Sequence, residues 1–220
     1  MILWDKFTRS QCFPDCSCEI IRQESWINQP LAFWSSLAYL APIYFLNRGL
    51  PQKNQYTRLF NLCLVVLALS SLFCHASFIR LSVAMDFAGI GLVIGFFPLV
   101  KLVRGKHLYL TFALFFALQV IVNYELGKWP KISLSILIFL FALAEVVQSF
   151  GKNFLRAKSL LISLLFLTVS FLMFLLDDQK IFFCDESGWL AGHTLWHYGT
   201  AASTFYFARW RFIDENFSLN

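Results

Sequence analysis

The chain has 220 residues, of which 58% are hydrophobic, 18% are aromatic and only 14% are charged, and its mean hydropathy is +0.63. Soluble domains are about half apolar and about a quarter charged, so this composition excludes a water-soluble fold and points to lipid as the solvent. The net charge of +5 is modest and is spread over short connectors. Nucleic-acid binding, a coiled coil and disorder are therefore excluded as well.

Seven apolar runs follow one another along the chain, and a bilayer core takes roughly 20 such residues per helix. The runs cover residues 30–47, 59–79, 82–100, 107–123, 132–150, 158–176 and 188–208. The connectors between them are too short to hold a soluble domain. We therefore predict an all-α polytopic membrane protein, a seven-transmembrane helix bundle, in which Pro42 and Pro98 are tolerated kinks near helix ends.

The positions of Lys and Arg near the span ends predict the orientation, because these residues favour the cytoplasmic side. With the N-terminus outside and the C-terminus inside, eleven of the eighteen lie on the inner side, and the acidic connector around Asp177 and Asp178 lies outside. We expect three regions: an extracytoplasmic segment over 1–29 without a cleaved leader, a transmembrane domain over 30–208 and a cytoplasmic tail over 209–220.

Ionisable side chains inside apolar spans are costly to bury, so they mark candidate functional sites. His75 lies a few residues below the outer end of the second span, and Asp86 lies about as deep in the third. His193 and His197 have similar depths in the last span. At 1.5 Å per residue, four polar groups from three helices lie roughly 7 to 13 Å below the outer surface.

The spacing of these residues predicts a metal site. His193 and His197 are four residues apart, so on a helix they share a face and can present two nitrogens to one ion. His75, four residues after Ser71, would complete a three-nitrogen site that leaves one position open, as in catalytic zinc centres. Iron or another divalent metal stays open. Haem held by two His stays open too, although it would leave Asp86 without a role.

Other polar residues in and near the spans have simpler interpretations. Glu145 and Gln148 lie toward the inner end of the fifth predicted span, away from the histidines, and we expect an interhelical hydrogen bond there. A thiolate metal site stays open for the three cysteines of the N-terminal segment, Cys12, Cys16 and Cys18.

Taken together, these motifs resemble the alkaline ceramidase family, within the CREST superfamily of seven-span metal hydrolases. The arrangement of predicted spans resembles the family over most of the chain, whereas the motifs themselves make up a small part of it. The residues that carry it are Cys18-Glu19, Asn28-Gln29-Pro30, Trp34-Ser35-Ser36, Ser71-x-x-x-His75, Asp86 and Gly192-His193-x-x-Trp196-His197.

The resemblance implies a zinc ion held by His75, His193 and His197. It implies that Asp86 acts on the water bound there and delivers a proton to the leaving amine, while Ser71 helps to hold the water or the developing oxyanion. General chemistry agrees, since zinc lowers the pKa of bound water and a nearby carboxylate can accept its proton. The implied activity is hydrolysis of the amide bond of a membrane lipid such as ceramide, to a sphingoid base and a fatty acid.

The resemblance also implies features near the N-terminus. The family has a calcium site there, for which Asp15 and Glu19 are the candidate oxygen ligands. The family's Trp is missing from this stretch and Gln29 stands where a later acid is expected, which weighs against calcium. The resemblance further implies a disulfide between Cys18 and Cys184, both on the predicted outer side, where disulfides persist.

Alternative functions stay open for the same residues. Related branches of the superfamily are linked to lipid ester hydrolysis, and the same ligands would serve an ester. A lipid receptor or sensor with a zinc-organised cavity and little turnover is a third function, although Asp86 and Ser71 favour turnover because a structural zinc fills its fourth position with protein. An inert bundle with buried polar groups is the simplest alternative. We expect an integral multi-pass protein, of the plasma (inner) membrane if the host is bacterial. Its expected partners are the bilayer and a ceramide-like lipid substrate and not nucleic acid, and the sequence indicates no protein partner.

Overall fold

The computed structural model describes residues 3–10, 18–49, 54–103, 107–126, 158–181 and 191–214, together with residues 136, 140, 143 and 147. Over these residues the regular structure is helical, and a single isolated bridge joins Arg9 to Ile79. The predicted all-α class is therefore confirmed for the described part of the chain.

The helices pack against one another as a bundle. In chain order they are α1 (Pro30–Ser35), α2 (Ala41–Gly49), α3 (Gln55–Ser77), α4 (Arg80–Ile94), α5 (Phe96–Leu102), α6 (Leu108–Leu126), α7 (Lys158–Asp178) and α8 (Gly192–Arg209). Short 3-10 segments cover Leu3–Lys6 and Ser36–Leu40, and a π-helical turn, Trp210–Asp214, follows α8.

Several helices are long and apolar enough to cross a membrane. Among the described residues these are α3, α6 and α7, with the bent pair α4 and α5 as a fourth if it counts as one span. The first predicted span is divided into α1, a 3-10 segment and α2, and the last corresponds to the 18-residue helix α8. The fifth, 132–150, with Glu145 and Gln148, falls largely outside the described residues. Seven spans therefore stay a prediction.

The predicted kink near Pro98 is present in the structure. Helices α4 and α5 meet at Gly95 with a bend of 60°. Pro98 lacks the N–H that would bond to the carbonyl of Ile94, and its ring crowds that carbonyl, so a straight helix cannot continue through this point. Pro42 instead lies in the first turn of α2, where a missing N–H costs little.

The helix surfaces divide into an aromatic interior and an apolar exterior. Phe60 of α3 packs edge-to-face on Phe96 of α5 at 4.9 Å between ring centroids and on Phe212 at 5.7 Å. On α6, one face carries large apolar residues that are each more than half exposed, namely Leu110, Leu114, Leu118 and Ile121. A contiguous exposed apolar face of this kind is suited to lipid and not to water.

Small residues allow the helices that carry the candidate site to approach closely. A Cβ added at Gly89 of α4 would lie 2.6 Å from Ser70 Oγ and 3.1 Å from Leu67 Cα of α3. On α8, a Cβ at Gly192 would lie 2.8 Å from Cβ of Asp177, and one at Gly199 would collide with Ser170. Close contact at small residues is a general basis of helix association in membranes.

The end of α3 is enclosed by the N-terminal part of the chain. Phe78 adopts a left-handed conformation with φ of 49°, which ends the helix. The last carbonyl groups have lost their helical partners at this point. Those of His75 and Ala76 accept hydrogen bonds from the backbone N–H of Gln29 at 2.9 Å and of Asn28 at 3.1 Å. Residues 28 and 29 are thereby fixed against the last turn of α3.

The close approach at Gly89 predicts that Gly89→Ala destabilises the bundle. The added methyl group meets backbone and side-chain atoms of α3, and overpacking costs about 1–3 kcal/mol. The midpoint of thermal unfolding in detergent should fall by several degrees.

The matched control is Gly91→Ala, two residues further along the same helix. Its Cβ would meet only the flexible end of Gln119, at 3.3 Å, and Ala is favoured over Gly in a helix by about 1 kcal/mol. This variant should unfold at or above the wild-type temperature. Equal destabilisation by both variants would contradict the packing of α3 on α4.

Candidate metal centre

The structure brings three of the predicted site residues together. His75 lies in the last turn of α3, and His193 and His197 lie in the first two turns of α8. One possible ligand atom of each lies within 4.8 Å of the other two, and the ring centroids are 4.8, 4.9 and 5.1 Å apart. Within the described ranges this is the one group of three or more His, Cys, Asp or Glu side chains that could hold a metal ion.

The hydrogen bond of His75 determines which of its nitrogens is available. Nδ1 lies 2.9 Å from Oε1 of Gln29, an oxygen that can only accept, so this network assigns the proton to Nδ1. Nε2 is then the unprotonated nitrogen, and it is buried without a hydrogen-bond partner. A buried nitrogen without a partner is costly, and a metal ion would satisfy it.

His197 is oriented in the same way by a serine. Its Nδ1 lies 2.7 Å from Oγ of Ser35, whose own hydroxyl donates to the carbonyl of Ala32 at 3.0 Å. Because Ser35 has a single hydroxyl hydrogen, its oxygen accepts from Nδ1–H of His197. The lone pair of His197 is therefore on Nε2 as well.

A carboxylate lies behind the third histidine. Nδ1 of His193 is 3.8 Å from Oδ2 of Asp177, which is longer than a hydrogen bond. Asp177 is 1% exposed, and its Oδ1 has no hydrogen-bond partner. Carboxylates and carbonyls behind the Nδ1 of a metal-binding His are the usual groups that set its tautomer and orientation. Each of the three rings thus has an oxygen on the Nδ1 side.

The predicted catalytic pair lies beside this cluster. Ser71, one turn before His75 on α3, is fully buried. Its hydroxyl is hydrogen-bonded to the carboxylate of Asp86, and Ser36 Oγ lies 3.0 Å from its oxygen. Oδ1 of Asp86 is buried without a partner. Asp86 is not a member of the 4.8 Å group, so it is placed as a neighbour of the centre and not as a fourth close ligand.

The described member of the predicted calcium pair, Glu19, serves as a helix cap. Its Oε1 accepts from the backbone N–H of Leu31 at 2.8 Å, and its Oε2 from that of Ala32 at 3.0 Å. Burial raises the pKa of this carboxyl, and the two hydrogen bonds oppose that change. Asp15 lies outside the described residues. Among the described residues Glu19 belongs to no group of three or more candidate ligands, so this part of the chain does not support the calcium prediction.

The cysteines of the N-terminal segment are only partly within the described residues. Cys18 is disulfide-bonded, and its Sγ lies 3.5 Å from the carbonyl oxygen of Asp177. Its predicted partner, Cys184, lies outside the described residues, as do Cys12 and Cys16. A disulfide sulfur is not a thiolate, so Cys18 does not serve the alternative thiolate metal site in this structure.

Sequence reasoning missed the roles of the residues that orient the histidines. Gln29 and Ser35 occur in the motifs quoted above without a role, and Asp177 was assigned only to an acidic connector. A usable signal was present: Gln29 directly precedes the first apolar run, and Asp177 directly follows the sixth. Both therefore flank apolar runs on the side where the histidines were expected.

Comparison with known proteins assigns no family to this geometry. No protein-family model matches the chain. No curated protein matches its sequence. The proposals below therefore depend on the residues and contacts already described and on the resemblance of the motifs.

The hydrogen bond from His197 predicts that Ser35→Ala weakens metal binding. The variant removes the acceptor that fixes the tautomer of His197 but leaves all three ligand nitrogens in place. Loss of such a partner typically costs about 10- to 100-fold in metal affinity. Competition of purified protein with a chromophoric chelator for Zn²⁺ measures this change.

The matched control is Ser163→Ala on α7. Ser163 is also buried and donates to the carbonyl of Ser203 on α8 at 2.8 Å, but neither residue bonds to a histidine. Its affinity for Zn²⁺ should equal that of the wild type. If Ser35→Ala bound zinc as tightly as Ser163→Ala, the tautomer assigned to His197 would be wrong.

Proposed function

We propose that the protein is a zinc-dependent intramembrane hydrolase that cleaves the amide bond of a lipid such as ceramide, releasing a sphingoid base and a fatty acid. The observation that carries the proposal is the set of three imidazoles of His75, His193 and His197, each with an oxygen behind Nδ1. Three protein nitrogens with a fourth position left for solvent or substrate are typical of catalytic zinc, whereas structural zinc has four protein ligands.

The residues beside the cluster supply the acid and base that amide hydrolysis needs. Zinc, when bound, makes water nucleophilic at neutral pH and polarises the carbonyl under attack. Asp86 has a carboxylate oxygen without a protein partner, so it is able to take a proton from the attacking water. It then gives that proton to the leaving nitrogen, because an amine departs poorly as an anion.

Ser71 has two uses in this scheme. Its hydrogen bond to Asp86 orients the carboxylate of the base. Its place one helical turn before His75 also makes its hydroxyl the candidate donor to the oxyanion that develops on the substrate carbonyl. Ser71 can serve both roles in turn. It orients Asp86 until the carboxylate has accepted the proton of the water, and only then does the oxyanion need its hydroxyl.

An apolar cavity next to the centre supports a lipid substrate. It has a volume of about 70 Å³ and lies between α3, α4, α7 and α8, with Trp196 and Tyr39 in its wall. Tyr39 contacts the ring of His197 at 5.5 Å between centroids, and its hydroxyl is 3.0 Å from Thr200 Oγ1. The apolar lining of this cavity can contact part of a hydrocarbon chain, whereas a small polar substrate would find few hydrogen-bond partners there.

We further propose seven spans with the N-terminus outside and the C-terminus cytoplasmic, as an integral multi-pass protein of the plasma (inner) membrane if the host is bacterial. His75 at the end of α3 and His193 at the start of α8 would then lie near the outer face. This depth suits a lipid whose chains lie in the bilayer and whose amide lies at the head-group border.

The proposed activity predicts that purified protein hydrolyses ceramides from a panel of ceramides, N-acyl amines and phospholipids, and that a zinc chelator abolishes this. Asp86→Asn, assayed at saturating Zn²⁺, should still bind metal but should lose about 10²- to 10⁴-fold in rate, the usual contribution of a general base. Product analysis by mass spectrometry measures both effects.

The control for loss of one carboxylate is Asp5→Asn, which removes an exposed ion pair with Arg9 and should leave the rate unchanged. Cleavage of esters alone would replace the amidase by an esterase. Binding of ceramide without turnover would favour the receptor. Hydrolysis that persists in chelator would remove the metal from the mechanism.

The proposed orientation predicts that a reporter enzyme fused to the C-terminus is active only in the cytoplasm, because the positively charged connectors are retained there. A second fusion after Leu102, at the end of α5, should give the same cytoplasmic readout. A C-terminal reporter that reads outside would invert the map and place the centre near the inner leaflet.

A further inference from the structure

Two neighbouring residues of the N-terminal segment, Cys18 and Glu19, connect to all three groups that orient the histidines. Both are buried, with 4% exposed fractions, although they precede the first predicted span. Their contacts lead along separate routes to Gln29, to Ser35 and to Asp177. None of these routes was predicted from the sequence.

The first route leads from Glu19 to His75. The amide nitrogen of Gln29 donates to the backbone carbonyl of Glu19 at 3.3 Å, while the oxygen of the same amide accepts from Nδ1 of His75 at 2.9 Å. The bond to Glu19 holds the amide in the orientation that presents oxygen, and not nitrogen, to the histidine. The tautomer of His75 therefore depends on the backbone position of Glu19.

The second route leads from Glu19 to His197. The carboxylate of Glu19 accepts from the N–H of Ala32, and the carbonyl of Ala32 accepts the hydroxyl of Ser35. The hydroxyl oxygen of Ser35 is thus left to accept from His197. The carboxylate also holds the first turn of α1 through Leu31, so it determines where Ser35 stands.

The third route leads from Cys18 to His193. Sγ of Cys18 lies 3.5 Å from the carbonyl oxygen of Asp177, and the carboxylate of Asp177 lies behind His193. Asp177 is in the last turn of α7, so the contact of Cys18 with its carbonyl places the N-terminal segment against this helix end.

We propose that Cys18 and Glu19 form a positioning element of the metal centre, on which the affinity of the three histidines for metal depends. The inference rests on the metal site of the proposed function but not on its lipid substrate. It gives Glu19 a role that needs no calcium, because the carboxylate acts through the backbone of α1. The element orients several ligands at once, so its loss weakens binding even though the ligand nitrogens are unchanged.

The test compares metal affinity in purified full-length variants, with Co²⁺ and Zn²⁺ as the probes. Glu19→Ala should weaken binding of both ions by about 10-fold or more, the lower range for loss of a supporting partner. It should also change the visible absorption spectrum of bound Co²⁺, which reports ligand geometry. Glu19→Gln keeps one acceptor oxygen and should lie between Glu19→Ala and the wild type. Cys18→Ala should weaken binding through the third route.

Matched controls separate this element from general loss of a charge or of a buried cysteine side chain. Glu24→Ala removes an exposed acid from the same segment, and Cys63→Ala removes a buried free thiol from α3. Both should keep the affinity and the Co²⁺ spectrum of the wild type. Thermal unfolding in chelator checks that each variant is folded, and Glu19→Gln provides the test if Glu19→Ala does not fold.

The outcomes distinguish this inference from the proposed function. A Glu19→Ala protein with wild-type affinity and spectrum would overturn the inference, and so would a Glu24→Ala protein that loses as much affinity. Wild-type protein that binds no Co²⁺ or Zn²⁺ would overturn both proposals. Metal binding that depends on Glu19, in a protein that cleaves no lipid, would support the positioning element and overturn only the hydrolase.

Discussion

A buried imidazole needs a partner for each of its two nitrogens, and the polar part of this structure is arranged around that constraint. In an interior of low dielectric an unpaired nitrogen costs much more than it does in water. Hydrogen bonds to oxygens of Gln29 and Ser35 satisfy Nδ1 of His75 and His197. Nε2 of His75 is buried without a hydrogen-bond partner, and one possible ligand atom of each of the three histidines lies within 4.8 Å of the others. A metal ion is a partner that three such nitrogens can share.

The same constraint explains why the N-terminal segment folds onto the ends of the helices. Each orienting group must itself be held, and apolar helix surfaces offer no polar atoms with which to hold it. The backbone N–H groups of residues 28 and 29 donate to carbonyl groups at the end of α3 that lack a helical partner. The carboxylate of Glu19 accepts from N–H groups at the start of α1 that also lack one. The centre therefore forms where helices end, because only there does the backbone provide free donors and acceptors.

The location of each polar residue relative to the apolar runs determined whether its role in the site could be predicted from the sequence. His75, His193 and His197 were visible because an ionisable residue within an apolar run is rare, and the helical spacing and common depth then indicated one site. Gln29 and Asp177 stand at the ends of runs, where polar residues are ordinary, so their positions were a much weaker signal than an ionisable residue within a run. The last span was expected to begin near residue 188, but α8 begins at Gly192, so His193 lies in its first turn. Pro98 predicted a kink, but its 60° angle depends on packing.

The positive charge of a bound zinc ion would give Asp177 a second role. Neutral imidazoles leave the two positive charges of a zinc ion uncompensated, and isolated charge is expensive at this depth. Asp86 and Asp177 are two carboxylates beside the cluster, and together they would offset the charge of the ion. Asp177 packs against Gly192 at the start of α8, where the helix dipole favours an anion and disfavours a cation. Its carboxylate thus lies at the positive end of the helix, and Gly192 provides the space that this contact requires. In the proposed mechanism Asp86 exchanges a proton with the substrate and Asp177 offsets the charge of the ion, so that catalysis and charge compensation are divided between two residues.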